Sequence, residues 1–370
     1  MNTNPAPPCL TPEQIHSLLG REEHRIDMGL ARAMHHKTSI LITGGAGSIG
    51  SALAVYLTDF APNQILLFDL DATGLKQVTS QLRRVYPGLN IVGIQGDITS
   101  KSDVTAVFEN HDIDIVYHAA ANKHVPELEA DPKSGINTNI FGTVILAQLA
   151  VQYAVSRFVF VSTDKAFRPA GVMGATKRFA EQYLQALQGE HPEKTRFVLV
   201  RFGNVLSSSG SVVPLFQAQI AQGGPLTITD KRMTRYFMTT GEACALLILS
   251  AVVGTPGAIC ILDPGKPHLM VDMAKRLIES YGLKPYTDIS IEYTAIRPGE
   301  KLIEQWFENA KDFTPTHVPQ LWTHSQFPDD WAAIKQRLAL LKSLLKQGSH
   351  PELIEALMST VVTQNANALS

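Results

Sequence analysis

SILITGGAGSIG, residues 39–50, joins a buried-strand pattern to a glycine turn and the start of a helix. Glycines at 44, 47 and 50 permit a tight turn, a close approach of backbone to ligand, and close packing of helix on strand. A helix that begins here directs free N–H groups and the positive end of its dipole at a bound phosphate. The residues predicted to hold the pyrophosphate of a dinucleotide are Gly44, Gly47, Ser48, Ile49 and Gly50.

Asp69 supports this interpretation, because it ends the next predicted strand, 19 residues after Gly50. A carboxylate in this place accepts hydrogen bonds from the ribose hydroxyls of adenosine. The same carboxylate would repel the 2′-phosphate of NADP, so the sequence favours NAD as the cofactor. The alternative is a structural glycine turn in which Asp69 caps a helix.

Around this turn, short β-rich runs alternate with longer helical patterns, which is typical of βαβ units on a parallel sheet. The predicted strands are 39–43, 64–69, 90–95, 113–119, 157–162 and 196–202. The predicted helices between them are about 48–59, 71–85, 101–110, 136–154 and 172–188. The fold class is therefore α/β, a doubly wound parallel sheet with helices on both faces and a smaller C-terminal substrate region.

The regular alternation ends after Phe202, where loop signals follow at 207–211 and 223–225. The chain also begins with a Pro-rich polar run and ends in helical patterns. The predicted parts are an N-terminal appendage over 1–36, an NAD-binding domain over 37–203, a mainly substrate-binding region over 204–325 and C-terminal helices over 326–370.

Composition excludes several classes of protein. The formal net charge of −2 gives no electrostatic reason to expect a nucleic-acid partner. Cys9, Cys244 and Cys260 are far apart and form no CxxC pattern, so we expect no disulfide framework, no metal site and a reducing compartment. The apolar run 245–253 is much shorter than the roughly 20 residues of a membrane span. Without a signal-peptide pattern, the protein is expected to be soluble and cytoplasmic, with no membrane insertion.

The glycine spacing resembles the extended short-chain dehydrogenase/reductase superfamily, and residues after the later strands extend the likeness. The resemblance implies that Asp97 and Ile98 contact the adenine, although Asp97 could instead cap a helix. It also implies a floor of small residues beneath the cofactor and a central helix asparagine. The remaining residues expected near the cofactor are Ala119, Ala120, Lys123, Asn139 and Lys177.

Thr163-Asp164-Lys165 follows the fifth strand, and Met173 and Lys177 share one face of the next helix. The superfamily usually has Tyr in place of Met173. With the runs at 121–126, 201–205, 233–238 and 297–301, the pattern resembles the UDP-N-acetylglucosamine 4,6-dehydratases of polysaccharide biosynthesis, in the branch where Met replaces Tyr. The likeness covers about 17–310. Residues 18–21 resemble the linker of membrane-anchored members, but no anchor is expected in this chain.

The resemblance implies a reaction in three steps. Hydride passes from sugar C4 to NAD⁺, water is eliminated across C5 and C6, and hydride returns to C6. Lys165 is then the base at C5, Asp164 the acid at the C6 oxygen, and Lys177 binds the nicotinamide ribose. Met173 cannot exchange a proton, so Thr163, Asp164 or a water must take the proton of the C4 hydroxyl. By the same resemblance, we expect retention of configuration at C5.

A nucleotide diphosphate needs cations, and guanidinium groups bind phosphate oxygens bidentately. Arg235 and Arg297 are the candidates, although either could be a structural salt-bridge partner. His124 is interpreted as a packing or positioning residue. The residues expected to bind substrate are Lys123, Asn204, Ser211, Val212, Arg235, Arg297 and Glu300.

Asn122, Phe167-Arg168 and Ser207 depart from the family pattern, all at positions expected near the sugar. The resemblance therefore implies a UDP-sugar as substrate and a homo-oligomer, but leaves the sugar open. Two other functions stay open as well. One is an NAD-dependent 4-epimerase, which needs no acid and base for elimination across C5 and C6. The other is a catalytically silent NAD- or nucleotide-sugar-binding protein that regulates an assembly, an alternative supported by Met173 and by the three departures. Independently of function, Asp164–Lys165 could be a surface ion pair and Lys177 an exposed helix residue.

Overall fold

The computed structural model describes residues 10–24, 26–208, 210–263, 265–307, 313–324 and 330–362. The helices are α1 Pro12–Leu19, α2 Gly29–His35, α3 Ser48–Thr58, α4 Ala72–Val85, α5 Lys101–Asn110, α6 Val125–Ala130, α7 Pro132–Gly135, α8 Thr143–Gln152, α9 Val172–Glu190, α10 Val212–Ala221, α11 Thr240–Val253, α12 Met270–Ser280, α13 Trp331–Gln347 and α14 His350–Val362. A π-helical segment, Ile136–Gly142, joins α7 to α8, and a 3₁₀ turn covers Asp164–Ala166.

The strands are β1 Ser39–Thr43, β2 Gln64–Asp69, β3 Asn90–Gln95, β4 Ile115–His118, β5 Arg157–Val161, β6 Arg196–Arg201, β7 Asn204–Val205, β8 Leu226–Ile228, β9 Thr234–Arg235, β10 Phe237–Met238, β11 Ile259–Leu262, β12 His268–Leu269, β13 Ile291–Tyr293, β14 Thr314–Pro315 and β15 Leu321–His324. The largest sheet has the order β14-β15-β11-β6-β5-β4-β1-β2-β3. Its strands are parallel from β3 to β11, and β15 and β14 are antiparallel additions at one edge.

The predicted doubly wound α/β fold is confirmed. β1 is buried at every residue, as expected for a strand with helices on both faces. The predicted strand 113–119 is shorter at both ends, because Asp114 turns away to bond the start of β1 through its backbone N–H and its carboxylate. The fifth and sixth strands each end one residue before their predicted ends.

Two features differ from the predicted division of the chain. Residues 204–325 supply β11, β14 and β15 to the main sheet, because the apolar run of β11 pairs with β6. They also supply α10 and α12 to a second, smaller hydrophobic core. The expected appendage, over its described residues 10–24 and 26–36, packs on the body. α1 buries Leu18 and Leu19 in the second core, and the Arg21 guanidinium binds both carboxylate oxygens of Glu242.

The predicted helix 136–154 begins earlier, at Pro132, and runs through the π-helical segment to Gln152. Among the described residues, this is the one helix long and apolar enough to span a membrane, and 67% of its most apolar window is buried within the protein. Cys244 and Cys260 are buried free thiols, while Cys9 lies outside the described residues. Within the described ranges, no three His, Cys, Asp or Glu side chains come together as metal ligands.

Candidate active site

A cleft of about 450 Å³ lies at the carboxyl ends of β4, β5 and β6, between the main core and the second core. Met173 from the main core and Phe216 from the second core both line it. One end is formed by Ile49 and Ala119, and the other by Thr227 and neighbouring residues. Ligands of doubly wound sheets bind at this edge of the sheet.

The glycine turn leaves no room for side chains at two positions. Gly44 has a φ of +71°, and a Cβ there would lie 2.7 Å from the backbone nitrogen of Ala120. A Cβ on Gly50 would lie 2.1 Å from the carbonyl oxygen of Gly44. α3 begins directly after Gly47, which caps the helix without a side-chain hydrogen bond. The turn therefore brings its backbone N–H groups close to any ligand that reaches the helix end.

Asp69 fixes this turn from the end of β2. Its Oδ2 accepts a hydrogen bond of 2.9 Å from the backbone N–H of Ala46, and its Oδ1 accepts one of 3.0 Å from Asp71. Asp97 accepts a hydrogen bond from the backbone N–H of Thr99, two residues before Lys101, where α5 begins. The cap of α5 is Ser100, so Asp97 does not have the capping role considered as an alternative.

Two residues expected near the cofactor make structural contacts. Asn139 is fully buried, and its amide binds both the backbone of Asn122 and the Thr176 hydroxyl. It therefore braces the loop after β4 against α9. Ile98 is buried and packs against Gly142, where an added Cβ would lie 2.7 Å from its Cδ1. No spacing in the sequence distinguishes such a brace from a ligand contact.

Met173 and Lys177 lie side by side on α9 and line the cleft, with exposed fractions of 7% and 6%. The Lys177 ammonium lies 4.1 Å from the centroid of the Phe160 ring. Burial lowers the pKa of Lys177 from 10.5 to about 7, against the nearby charge of Glu181, which raises it. The alternative of an exposed helix lysine is therefore wrong.

Thr163, Asp164 and Lys165 form one hydrogen-bonded unit at the end of β5. Asp164 Oδ1 accepts from the Thr163 hydroxyl and from the Lys165 ammonium, each at 2.9 Å. Lys165 Nζ also donates to Asn204 Oδ1 at 3.1 Å. Asp164 is fully buried, and its Oδ2 has no hydrogen-bond partner. The pair is not a surface ion pair, because the Asp164 side chain is fully buried and the Lys165 side chain is 23% exposed.

Glu304 is a residue of this site that sequence reasoning missed. Its side chain is 2% exposed and lines the cleft. Its Oε1 lies 3.8 Å from Lys165 Nζ, and its Oε2 lies 3.4 Å from Lys301 Nζ. The only signal in the sequence was its place three residues after Lys301, just beyond the run at 297–301 that carries the family resemblance.

The two arginines expected at the diphosphate have different surroundings. Arg235 is buried, and its guanidinium donates to the backbone carbonyls of Thr234, Lys301 and Leu302. Arg297 is exposed at the wall of the cleft. Among the described residues, neither arginine forms a salt bridge. Arg297 therefore has its whole guanidinium available to a ligand, whereas Arg235 is partly committed to the backbone.

The other expected substrate residues line the same cleft. Ser211 precedes α10, and its hydroxyl is buried without a hydrogen-bond partner. Glu300 accepts a hydrogen bond of 3.4 Å from the backbone N–H of Arg297 and so shapes that turn. His124 is exposed at the rim of the cleft, and its imidazole ring occupies the space that a Cβ on Gly210 would need. The remaining members are Lys123, Asn204 and Val212.

The departures from the family pattern have local explanations. Ser207 has a φ of +62°, a backbone conformation that the Gly of the family pattern adopts without strain. The Phe167 carbonyl accepts a hydrogen bond of 2.7 Å from Lys301 Nζ, so this residue ties the catalytic turn to the segment around Glu304. Asn122 donates from its amide to the Ser134 hydroxyl while also lining the cleft.

Residues 40–326 match the model of a family described as polysaccharide biosynthesis protein. The chain belongs to this family. The capsular polysaccharide biosynthesis protein CapD of Staphylococcus aureus is 44% identical over 307 residues, which cover 82% of this chain and 51% of CapD. The chain therefore spans about half the length of that relative.

Other relatives have two kinds of name. A UDP-N-acetylglucosamine 4,6-dehydratase (inverting) of Campylobacter jejuni is 35% identical over 73% of this chain and 78% of the relative. A UDP-glucose 4-epimerase of Rickettsia canadensis is 34% identical over 72% of this chain and 76% of the relative. The predicted resemblance is confirmed, and identity alone does not separate the two activities.

Solved structures agree with the fold. Pen from Bacillus thuringiensis is 31% identical, with a TM-score of 0.70 over 78% of this chain and 86% of its own. DesIV, a dTDP-glucose 4,6-dehydratase from Streptomyces venezuelae solved with NAD bound, has a TM-score of 0.64 at 23% identity, over 73% and 88% of the two chains. At that identity the second likeness concerns the fold alone.

Proposed function

We propose that this family member is an NAD-dependent nucleotide-sugar 4,6-dehydratase, acting on UDP-N-acetylglucosamine or a close relative. The observation that carries the proposal is the hydrogen-bonded unit at the end of β5, in which the buried Asp164 is bonded to Thr163 and Lys165, which both line the cleft. Elimination across C5 and C6 needs a base at C5 and an acid at the C6 oxygen, whereas 4-epimerisation breaks no bond at C5 or C6. The dehydratase name of the Campylobacter jejuni relative supports the same choice.

The residues at the glycine turn fit NAD. A side chain at Gly44 or Gly50 would overlap backbone, so the turn has the close approach that a pyrophosphate requires. The first turn of α3 supplies N–H donors, and the Asp69 carboxylate retains lone pairs for ribose hydroxyls. Lys177 reaches the cleft beside Met173 and would hold the nicotinamide ribose. When bound, NAD supplies an acceptor for the hydrogen of C4 and returns that hydrogen to C6.

Lys165 and Asp164 divide the elimination between them. Lys165, as the uncharged amine, accepts the proton from C5, exchanges it with solvent and later donates a solvent-derived proton to C5. Asp164 protonates the departing C6 hydroxyl, which leaves as water. Its Oδ2 has no hydrogen-bond partner and is the oxygen free to carry that proton. General acid–base catalysis of this kind contributes about 10²- to 10⁴-fold to a rate.

Thr163 offers a route for the proton of the C4 hydroxyl. Its own hydroxyl already donates to Asp164 Oδ1 at 2.9 Å. We infer that the Thr163 oxygen takes the C4 proton while its own proton passes to Asp164. Asp164 then gives that proton to the C6 oxygen, so the proton that leaves in the water comes from the Thr163 hydroxyl, and the proton lost at C4 stays on Thr163. Met173, in the position of the usual Tyr, takes no part in the transfer.

Mass spectrometry of the purified protein incubated with NAD and UDP-N-acetylglucosamine tests the activity. The expected product has lost one water. A product of unchanged mass with inverted C4 would mean the epimerase instead. If NAD and the nucleotide sugar bind but no conversion follows, the chain is a silent binding protein.

Thr163→Val tests the proton route, with Met173→Ala as its matched control in the same cleft. The valine keeps the shape but has no hydroxyl, so turnover should fall roughly a hundredfold. Met173→Ala should change turnover by less than about threefold, although removal of a buried thioether costs about 2–5 kcal/mol of stability. Equal losses in both variants would mean that the effect is packing and not proton transfer.

A further inference from the structure

Glu304 is a buried carboxylate for which the elimination chemistry above has no use. It lies between two ammonium groups, those of Lys165 and Lys301, and its Oε2 makes no hydrogen bond. Burial of a carboxylate with few hydrogen bonds is costly. An ion pair with Lys301 alone could anchor the segment. Such an anchoring role would not explain why the other carboxylate oxygen, Oε1, faces Lys165.

The proposed reaction sets a difficulty for the neighbouring pair. Asp164 and Lys165 are bonded to each other at 2.9 Å, yet they must act at different atoms, the C6 oxygen and the C5 hydrogen. The pair must therefore open while the substrate is bound. Once the Lys165 amine has taken the C5 proton, and while Asp164 still holds its own, the new ammonium has no carboxylate of the pair beside it, and an unpaired charge in a partly buried site is destabilised. Asn204, the other hydrogen-bond acceptor of Lys165, is neutral and cannot replace the lost charge.

We propose that Glu304 is a positioning residue, the second counter-ion that allows the Asp164–Lys165 pair to open during elimination. This inference rests on the proposed dehydratase function. A shift of about 1 Å brings Lys165 Nζ from 3.8 Å into hydrogen-bond distance of Glu304 Oε1. The ammonium formed when Lys165 takes the C5 proton then has an opposite charge beside it while the protonated Asp164 lies at the C6 oxygen. After transfer, Lys165 returns to Asp164.

The segment around Glu304 is fastened to the catalytic turn, as this role requires. Lys301 Nζ lies 3.4 Å from Glu304 Oε2 and donates to the carbonyl of Phe167, two residues after Lys165. Lys301 thus fixes the carboxylate relative to the end of β5. It also neutralises part of the negative charge that two carboxylates would otherwise bring to one ammonium.

Glu304→Gln tests the role, because it preserves shape and removes the charge. We expect kcat to fall about ten- to a hundredfold, since small misplacements of a reacting group have effects of this size. KM for the nucleotide sugar should stay within about twofold of wild type, because Glu304 is not placed on the diphosphate. Glu304→Asp should recover part of the lost kcat, because the charge is restored. Glu292→Gln, the same change at an exposed residue of β13 outside the cleft, should leave kcat unaltered.

Crystal structures of wild type and Glu304→Gln with bound UDP give a readout independent of turnover. In the wild type Lys165 Nζ should be found between Asp164 and Glu304, and in the variant only against Asp164. Unchanged kcat in Glu304→Gln, or a loss that Glu304→Asp does not relieve at equal Tm, would overturn the inference and leave the dehydratase proposal standing. A wild type that releases no water would defeat the dehydratase proposal before any variant is compared.

Discussion

The two ends of the cleft are built in different ways. The cofactor end comes largely from one continuous stretch, 39–50, in which the backbone itself forms the site. The sugar end is assembled from side chains far apart in sequence, including Lys165, Asn204 and Glu304. The residues of a glycine turn are contiguous, so the turn can be recognised in the sequence. A cluster of charged side chains depends on which distant segments the fold brings together.

The pair Arg235 and Arg297 shows the consequence at the sugar end. Both were expected on the diphosphate for the same chemical reason. One guanidinium is bound by three backbone carbonyls, and the other is exposed on the cleft wall. Residue type alone therefore could not tell a ligand contact from a structural one.

The largest effect is expected from Lys165→Ala at the sugar end. Dehydration should fall about a thousandfold, because a methyl group cannot accept the C5 proton. Binding of NAD and of the nucleotide sugar should be nearly unchanged. In deuterated water, the wild type should carry one solvent deuteron at C5, which mass spectrometry and NMR of the product would detect.

Lys165→Arg is the matched control, because it keeps the charge beside Asp164 but cannot lose its proton. It should be equally inactive and more stable than Lys165→Ala, which leaves Asp164 buried without its cation. Wild-type turnover in either variant, or product without solvent hydrogen at C5, would mean that Lys165 is not the base.

Gly47→Asp tests the cofactor end. The φ of Gly47 is −72°, which any residue adopts, and Asp is a favourable cap for the helix that follows. Stability should therefore be kept. NAD affinity should fall more than about a hundredfold, because a carboxylate against the pyrophosphate costs several kcal/mol. Calorimetric titration measures this, and Gly47→Ala, without the charge, should retain most of the affinity.

Arg297→Ala and Arg235→Ala separate ligand binding from structure within the sugar end. Arg297→Ala should raise KM for the nucleotide sugar roughly ten- to a hundredfold, the value of a lost charge-assisted contact, with Tm unchanged. Arg235→Ala should lower Tm as well, because three carbonyls lose their donors. If Arg297→Ala changes Tm and not KM, its assignment to the diphosphate is wrong.

Much of the fold could be predicted from the sequence, because the patterns that indicate strands and helices are local. The strand and helix bounds of β1, α3, β2 and α5 agree with the patterns within one residue. The contributions of β11 and β15 to the main sheet were not foreseen, because strand order depends on pairing between distant segments. The packing of α1 against the second core was missed for the same reason.

The site could be predicted only where chemistry and position coincide. Asp164 and Lys165 were implied by the family resemblance and follow a parallel strand, and their roles stay a prediction. Asn139 illustrates the limit, since its amide braces backbone that no spacing reveals. Glu304 was missed because its place in the site is defined by its contacts with two lysines, one of them 139 residues earlier in the chain.

The last prediction concerns the stability of the fold and not catalysis, and it rests on Lys177, which lines the cleft. Burial lowers its pKa from 10.5 to about 7, so between these values the unfolded chain holds a proton that the folded chain does not. Stability of the NAD-free protein should therefore rise with pH across this window, as far as Lys177 determines it.

Lys177→Met removes the cost of burying a charged amine and keeps an unbranched apolar side chain over Phe160. At about pH 7 the variant should be more stable than wild type by on the order of 3 kcal/mol, because each pKa unit is worth about 1.4 kcal/mol and a cation–π contact is lost. The difference should shrink as the pH rises towards 10.5, since the amine is then neutral in both states. Other titrating groups are common to both proteins and cancel. Denaturant unfolding without NAD at a series of pH values measures the difference, and one that is constant with pH would mean that Lys177 stays charged in the folded protein.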